Sequence, residues 1–180
     1  MELLDMPFRP VTEISSAPFS MPVALRCDRM RKMPCDTLVA YKVDGQRAMA
    51  VVVHISGVDY LVMYDRRMAA TLIASVPFSR PYNESVVMAL DCESNHGKYW
   101  VHDILVFQCT CVISRPFNAR MSMYQRACKE VERLCPLLFP KVFTPHGVFF
   151  KSIPPQGLPP GCDGLIFIDP RSTYRIGANW

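Results

Sequence analysis

Two cations lie close together in the sequence, one on each side of an Asp-Gly pair. Lys42 and Arg47 flank Asp44-Gly45, and mostly apolar runs lie beyond them. An Asp-Gly pair between apolar runs predicts a two-residue hairpin turn, with Lys42 opposite Arg47 and their Cβ atoms about 5 Å apart. Such a pair can hold a phosphate, and the charge of Arg47 would lower the pKa of Lys42 and favour its nucleophilic free amine. The alternative interpretation is an exposed hairpin tip whose two basic side chains extend into water.

The segment Lys42-x-Asp44-Gly45-x-Arg47 matches K-x-D-G-x-R, the nucleotidyl-lysine motif of the covalent nucleotidyltransferases, which include mRNA capping enzymes and ATP-dependent ligases. Three further segments resemble motifs of that family and follow in the family's order. They are Leu90-Asp91-Cys92-Glu93, Tyr99-Trp100-Val101-His102-Asp103-Ile104-Leu105 and Cys162-Asp163-Gly164-Leu165-Ile166-Phe167. The resemblance implies an α+β nucleotidyltransferase domain that is rich in antiparallel sheet and has few helices.

The resemblance also implies a role for each matching residue. Lys42 would attack the α-phosphate of GTP, hold GMP as a phosphoramidate, and pass it to the 5′-diphosphate end of an RNA. Glu93 and Asp163 would bind Mg²⁺ or Mn²⁺, because these ions take carboxylate oxygens and neutralise charge on the moving phosphoryl group. The nucleotide-binding candidates are Asp44, Arg47, Arg66, Glu93, His102 and Asp163.

Two positions depart from the family's pattern. His102 stands where the family usually has Tyr or Phe to stack on the base, and the alternative interpretation is a half-buried histidine with its hydrogen bonds made. Cys92 replaces a Gly, and its Cβ limits how closely the strand end can approach a ribose. Without the resemblance, Asp91 and Glu93 would be interpreted as ordinary surface acids at the end of a strand.

Several residues favour an RNA guanylyltransferase over a ligase. The acid before Gly164 is Asp163, where ligases usually carry Glu. Three segments resemble capping enzymes, namely Tyr64-Asp65-Arg66 (I-D-R), Pro116-Phe117-Asn118-x-Arg120 (the start of F-x-x-R-L) and Thr173-Tyr174-Arg175-Ile176-Gly177 (Y-K-P-G). The alternatives are a DNA or RNA ligase adenylation domain that uses ATP, and a non-catalytic nucleotide- or RNA-binding relative of the same fold.

The family continues beyond Y-K-P-G into a lysine-bearing motif and an OB-fold domain. Prolines at positions 7, 10, 18, 22 and 34 predict an irregular arm over 1–35. The sequence ends at Trp180, before both of these family features, so we expect a truncated nucleotidyltransferase domain over 36–180. An OB-fold domain or a partner subunit would complete the site and cover apolar surface. The sequence begins almost at the nucleotidyltransferase arm, and this arrangement resembles that of stand-alone or viral capping enzymes.

Apolar runs between turn residues predict the strands that position these side chains. The predicted strands are 38–42, 47–54, 59–64, 86–91, 99–107, 148–153 and 165–168, and 68–76 fits either a strand or a helix. Apolar steps of three and four predict one helix over 118–135, with Asn118 as its N-cap and Pro136 ending it. Many strands with one or two helices indicate an α+β fold with largely antiparallel sheets.

Composition excludes several classes of protein. Of the 180 residues half are apolar and 20% are charged, which excludes a disordered chain, and the net charge of +4 suits a phosphate-bearing partner without requiring one. The longest aliphatic run is too short to span a bilayer, and the N-terminus lacks a signal peptide, so we expect an intracellular protein of the nucleus or cytoplasm with no membrane partner. The eight cysteines contain no C-x-x-C pair. Because we expect an intracellular protein, we expect these cysteines to be reduced and mostly in the core.

Overall fold

Strands make up most of the regular structure in the computed structural model, which describes residues 33–77, 85–152 and 157–175. The strands of these parts are β1 (Leu38–Val43), β2 (Gln46–Ile55), β3 (Val58–Tyr64), β4 (Ala70–Pro77), β5 (Ser85–Asn95), β6 (Lys98–Phe107), β7 (Thr110–Cys111), β8 (Leu138–Pro140), β9 (Thr144–Pro145) and β10 (Cys162–Ile168). The helices are α1 (Phe117–Val131) and α2 (His146–Ser152). The α+β class is therefore confirmed. Most of the arm expected over 1–35 lies outside the described residues.

The strands form two sheets. A small sheet has the order β10-β1-β9, and a large sheet has the order β4-β3-β2-β5-β6-β7. Neighbours in both orders are antiparallel, and β8 adds a parallel pairing to β6. The large sheet is thus mixed, and the predicted antiparallel character holds for its main path.

Two tight turns organise the large sheet. Ser56-Gly57 joins β2 to β3 and His96-Gly97 joins β5 to β6, and all four residues have positive φ angles. Two successive positive φ angles define the type I′ turn, whose twist matches that of paired strands. The second turn brings together the ends of β5 and β6, which carry Glu93 and Trp100.

The predicted hairpin at Asp44-Gly45 is wrong. β1 pairs with β10 and β9 in the small sheet, whereas β2 pairs with β3 and β5 in the large sheet. Asp44 and Gly45 therefore carry the chain from one sheet to the other. The passage is tight, because a Cβ on Gly45 would collide with the carbonyl oxygen of Ser94. An Asp-Gly pair permits a turn, but the partners available to each strand decide whether a hairpin forms.

The two helices confirm one prediction and contradict another. α1 buries Tyr124, Ala127, Cys128 and Val131 as the apolar spacing predicts, although it begins after Pro116 rather than at an Asn118 cap and ends before residue 135. The strand predicted over 148–153 is instead the helix α2. The ambiguous segment 68–76 forms the strand β4.

Both faces of the large sheet are covered. Even-numbered residues of β2 from Ala48 to Val52 belong to one apolar cluster with α1, and odd-numbered residues from Met49 to Val53 belong to a second cluster. Successive side chains of a strand point to opposite faces, so a continuous apolar run is what two covered faces require. Neither described helix is long and apolar enough to cross a bilayer.

The cysteines are less buried than predicted. Of the seven that lie in the described residues, Cys92, Cys128 and Cys135 are buried, Cys162 is half-buried, and the remaining three are exposed. All seven are free thiols, as expected. The buried ones fill the apolar cluster around α1, where they act as small apolar side chains.

Candidate active site

Pairing of β1 with β10 brings two motifs together that lie 121 residues apart. Lys42 is opposite Gly164 in this ladder, and a bulge follows between Lys42 and Val43. The Lys42 Nζ donates to both carboxylate oxygens of Asp163, at 2.8 Å and 2.7 Å. The two side chains are 33% and 42% exposed, so a ligand can reach both of them.

Asp163 controls the protonation of Lys42. Its hydrogen bond and its charge raise the pKa of Lys42 above the usual value, against a smaller opposing effect of burial. The sequence predicted the opposite direction, with Arg47 lowering this pKa, and that prediction is wrong. Lys42 is therefore held as an ammonium, and it must lose a proton before its nitrogen can attack an electrophile.

Arg47 does not face Lys42. Its Nε donates to Asp91 Oδ1 at 2.8 Å and its Nη2 donates to Asp91 Oδ2, which makes a two-point ion pair. The two cations are separated because β1 and β2 enter different sheets. Arg47 lies beside Glu93 in the pairing of β2 with β5 and is only 11% exposed at its side chain. The predicted Lys42–Arg47 pair is thus replaced by two separate cation–carboxylate pairs.

Asp91 is the centre of a buried polar cluster. Besides Arg47, it accepts a hydrogen bond from Tyr174 Oη at 2.8 Å and lies 3.3 Å from His102 Nε2. Burial raises the pKa of Asp91, but the charges and hydrogen bonds of His102 and Arg47 outweigh burial and hold this pKa well below its usual range. The Asp91 carboxylate is therefore ionised, and it holds the Arg47 side chain in place from the buried side.

His102 is packed against this cluster. Its side chain is 14% exposed, and its position is irregular because the pairing of β5 with β6 shifts between Asp91 and Cys92. The Nδ1 atom is buried and has no hydrogen-bond partner in the described part of the chain. The contact with Asp91 fits the half-buried alternative only in part, because that alternative expects both ring nitrogens to have partners. Stacking on a base remains a prediction.

Glu93 faces a lysine that the sequence analysis missed. The Lys141 Nζ lies 3.8 Å from Glu93 Oε2, and the two side chains are only 5% and 15% exposed. Burial lowers the pKa of Lys141, and the attraction of Glu93 offsets part of this effect. One signal was available in the sequence, because Lys141 stands alone among apolar residues between Leu138 and Phe143. A lysine in such a run is buried only with a partner or a task.

Asp44 and Arg66 make no side-chain hydrogen bond or ion pair with Lys42 or Asp163 in the described residues, although the charge of Asp44 helps to raise the pKa of Lys42. Asp44 is exposed, its N–H donates to the Gly161 carbonyl at 2.9 Å, and its own carbonyl accepts from Asn95 Nδ2. Arg66 is exposed on the turn after β3, whose backbone is held by the Asp65 carboxylate. No contact in the described residues joins Arg66 to the other candidates.

A cavity of about 320 Å³ is present near the end of β1 and the start of β10, although neither Lys42 nor Asp163 lines it. Its wall contains Val43 and Cys162, which adjoin Lys42 and Asp163 in sequence, together with Trp100, Asn95 and Gly161. The Trp100 ring packs on Phe139 with 5.4 Å between the ring centroids, which holds the indole in place. A partly apolar cavity beside charged groups is typical of a small-molecule site.

The described residues contain no group of three or more His, Cys, Asp or Glu side chains that could hold a metal ion. Glu93 and Asp163 lie at the ends of β5 and β10, each beside a lysine. A site for Mg²⁺ can consist of one or two carboxylates that share the ion with substrate phosphates and water. The donor set at this edge is compatible with that kind of shared site.

A scan against protein-family models finds no match to this chain, and no curated protein matches it. The functional inference therefore rests on the spacing of the motifs and on the geometry of the residues that they bring together.

Proposed function

We propose that this chain is the nucleotidyltransferase domain of an RNA guanylyltransferase, with Lys42 as the residue that carries GMP. The observation that carries the proposal is the contact of Lys42 Nζ with both oxygens of Asp163. These residues belong to the first and last of the four motif segments, and nothing in the local sequence of either one requires them to meet. A nucleotidyl-lysine site needs a reachable amine with a carboxylate beside it, and this pair is reachable.

The reaction proceeds in two displacements. In the first, the neutral Lys42 Nζ attacks the α-phosphorus of GTP, an N–P bond forms, and the bond from that phosphorus to the bridging oxygen of the β-phosphate breaks. Before this attack Lys42 gives its ammonium proton to Asp163 or to water, and the nitrogen loses a second proton to water as pyrophosphate leaves. In the second, a terminal oxygen of the RNA 5′-diphosphate attacks the same phosphorus. The N–P bond then breaks, and Lys42 recovers both protons.

The neighbouring residues would hold the substrate for these steps. Arg47 is fixed by Asp91, so its cationic group has one position beside Glu93 at the rear of the site. Glu93 and Asp163 would bind Mg²⁺ or Mn²⁺, which supplies neutralising charge on the phosphates when bound. The cavity beside Trp100 has the size and apolar wall that suit a nucleobase. Asp44, Arg66 and His102 are retained as nucleotide-binding candidates, and an OB-fold domain or partner subunit is part of the same proposal.

The proposal is tested by incubating the protein with Mg²⁺ and α-labelled GTP or ATP and measuring label that survives denaturation. We expect label from GTP, none after Lys42→Ala, and transfer of the label to RNA with a 5′-diphosphate end. Label from ATP alone would instead identify a ligase adenylation domain. Nucleotide binding without any covalent label would identify the non-catalytic relative and reject the enzyme.

A further inference from the structure

Lys141 is held rigidly beside the site, and none of the motif segments includes it. Its N–H donates to the Val101 carbonyl at 2.7 Å, and its carbonyl accepts from Tyr124 Oη at 2.8 Å. These bonds tie the backbone of Lys141 to β6 and to α1, which pack against each other in the same apolar cluster. The starting point of the side chain is therefore set before any ligand binds.

The amine of Lys141 has no hydrogen-bond partner in the described residues, although the side chain is only 5% exposed. The 3.8 Å separation from Glu93 Oε2 allows charge attraction but is too long for a hydrogen bond. A buried amine that leaves its hydrogen bonds unmade reduces the stability of a fold. Its presence here indicates that an acceptor from outside the described residues completes it.

The surrounding charges indicate the chemistry of that acceptor. The charges of Lys42 and Arg47 act on Lys141, and Glu93 attracts all three cations. Lysine donates hydrogen bonds and accepts none, and several convergent cations suit a ligand with several anionic oxygens. Neither Lys141 nor Lys42 nor Arg47 lines the apolar cavity.

We propose that Lys141 donates hydrogen bonds to phosphate oxygens of the ligand bound beside Lys42. The identity of that ligand as GTP rests on the proposed function, whereas the binding of phosphate does not. Lys141 is then a second cation for the phosphate chain, contributed by the segment between β8 and β9. It faces Glu93 in the free protein and the ligand in the complex.

Calorimetric titration of the whole chain with inorganic tripolyphosphate, GTP and guanosine tests the proposal. Lys141→Met keeps the length and removes the donors, and Lys129→Met is the matched control because Lys129 is an exposed lysine of α1. Because Lys141→Met loses a charge-assisted hydrogen bond, its affinity for tripolyphosphate and for GTP should be about 10- to 100-fold weaker than that of the wild type. Guanosine affinity and the control should not change, and the melting temperature of ligand-free Lys141→Met should not fall.

Three results would overturn the proposal. The first is equal tripolyphosphate affinity in the wild type and in Lys141→Met, and the second is a wild type that does not bind tripolyphosphate. The third is guanosine affinity that falls as far as GTP affinity, which would mean a contact with the base or ribose. If Lys141→Met does not fold, Lys141→Gln decides by the same comparison. Lys141-dependent binding of tripolyphosphate without a covalent adduct would reject the guanylyltransferase and leave this proposal standing.

Discussion

Replacing Asp91 with Asn should destabilise the protein far more than an ordinary substitution at a strand end. Asp91 is fully buried and accepts two hydrogen bonds from Arg47 and one from Tyr174. It also lies 3.3 Å from His102 Nε2. Asn has almost the same shape but no charge, and although its Oδ1 can accept one hydrogen bond from Arg47, its Nδ2 group is a donor and cannot accept the other. The Arg47 guanidinium would then stay buried without the carboxylate that it pairs with, and only the weaker attraction of Glu93 would remain.

The size of this effect follows from the burial of both partners. Removing one member of a buried ion pair costs about 3–5 kcal/mol, because the remaining charge is not solvated. Arg47 is 11% exposed at its side chain, which places the expected loss near the middle of that range. Removing both charges with Asp91→Asn and Arg47→Met should cost less than the sum of the two single changes, with a coupling of about 1–3 kcal/mol.

Urea unfolding at pH 7 measures these free energies. Asp36→Asn is the matched control, because Asp36 is an exposed carboxylate that lies 3.7 Å from Arg171 at the surface. The control should unfold at the same urea concentration as the wild type. A loss in Asp91→Asn no larger than in the control, or strict additivity in the double variant, would refute the reasoning.

The same pair predicts the pH dependence of stability. Because the pKa of Asp91 is lowered in the folded protein, its contribution is present above the unfolded pKa and disappears as the pH falls through the folded pKa. The difference between wild type and Asp91→Asn should therefore be constant above about pH 5 and shrink as the pH falls below about 4. A difference that grows on acidification would contradict the lowered pKa.

Three further predictions concern the passage between the sheets and the chemistry. Gly45→Ala should lower stability by about 1–3 kcal/mol in thermal melting because its Cβ would collide with backbone, whereas Gly147→Ala, where a Cβ meets open space, should not. Since Asp163 raises the pKa of Lys42, the rate of adduct formation should increase with pH. In the Asp163→Asn variant, the Lys42 amine should react with an acylating reagent at a lower pH than in the wild type. A pH-independent rate would argue against deprotonation of Lys42. Adduct formation should stop in EDTA and fall about 10²–10³-fold in Glu93→Gln, and full activity in either case would exclude a metal at Glu93.

Sequence patterns predicted the elements of this fold better than their pairing. The unbroken apolar run in β2 is explained by two covered faces, and the spacing in α1 gave the buried side of that helix. The partner of β1 could not be read from its neighbours, because β10 lies more than a hundred residues away. A pairing between distant strands depends on the whole arrangement of the sheets, and the local Asp44-Gly45 signal carries no information about it.

The helix α2 illustrates a local preference that the fold overrides. Val148, Phe149 and Phe150 favour a strand by residue type. In the helix, Phe149 reaches Tyr41 of β1 with 5.1 Å between ring centroids, and Phe150 stacks on Phe167 of β10. These aromatic contacts with the small sheet outweigh the preference of the segment.

The candidate site was predicted in its parts but not in its connections. Motif order identified Lys42 and Asp163, and the fold places them in contact. Arg47 was assigned to the wrong partner, since the assignment depended on the hairpin. Lys141 was missed because a single lysine in an apolar segment has no motif around it, and only its burial beside Glu93 reveals it.

Peptide mapping by mass spectrometry after incubation with GTP and Mg²⁺ tests the central claim most directly. We expect one GMP per chain, attached to the peptide that contains Lys42 and released by acid as expected for an N–P bond. Attachment to any other residue, or an adduct that persists in Lys42→Ala, would contradict it.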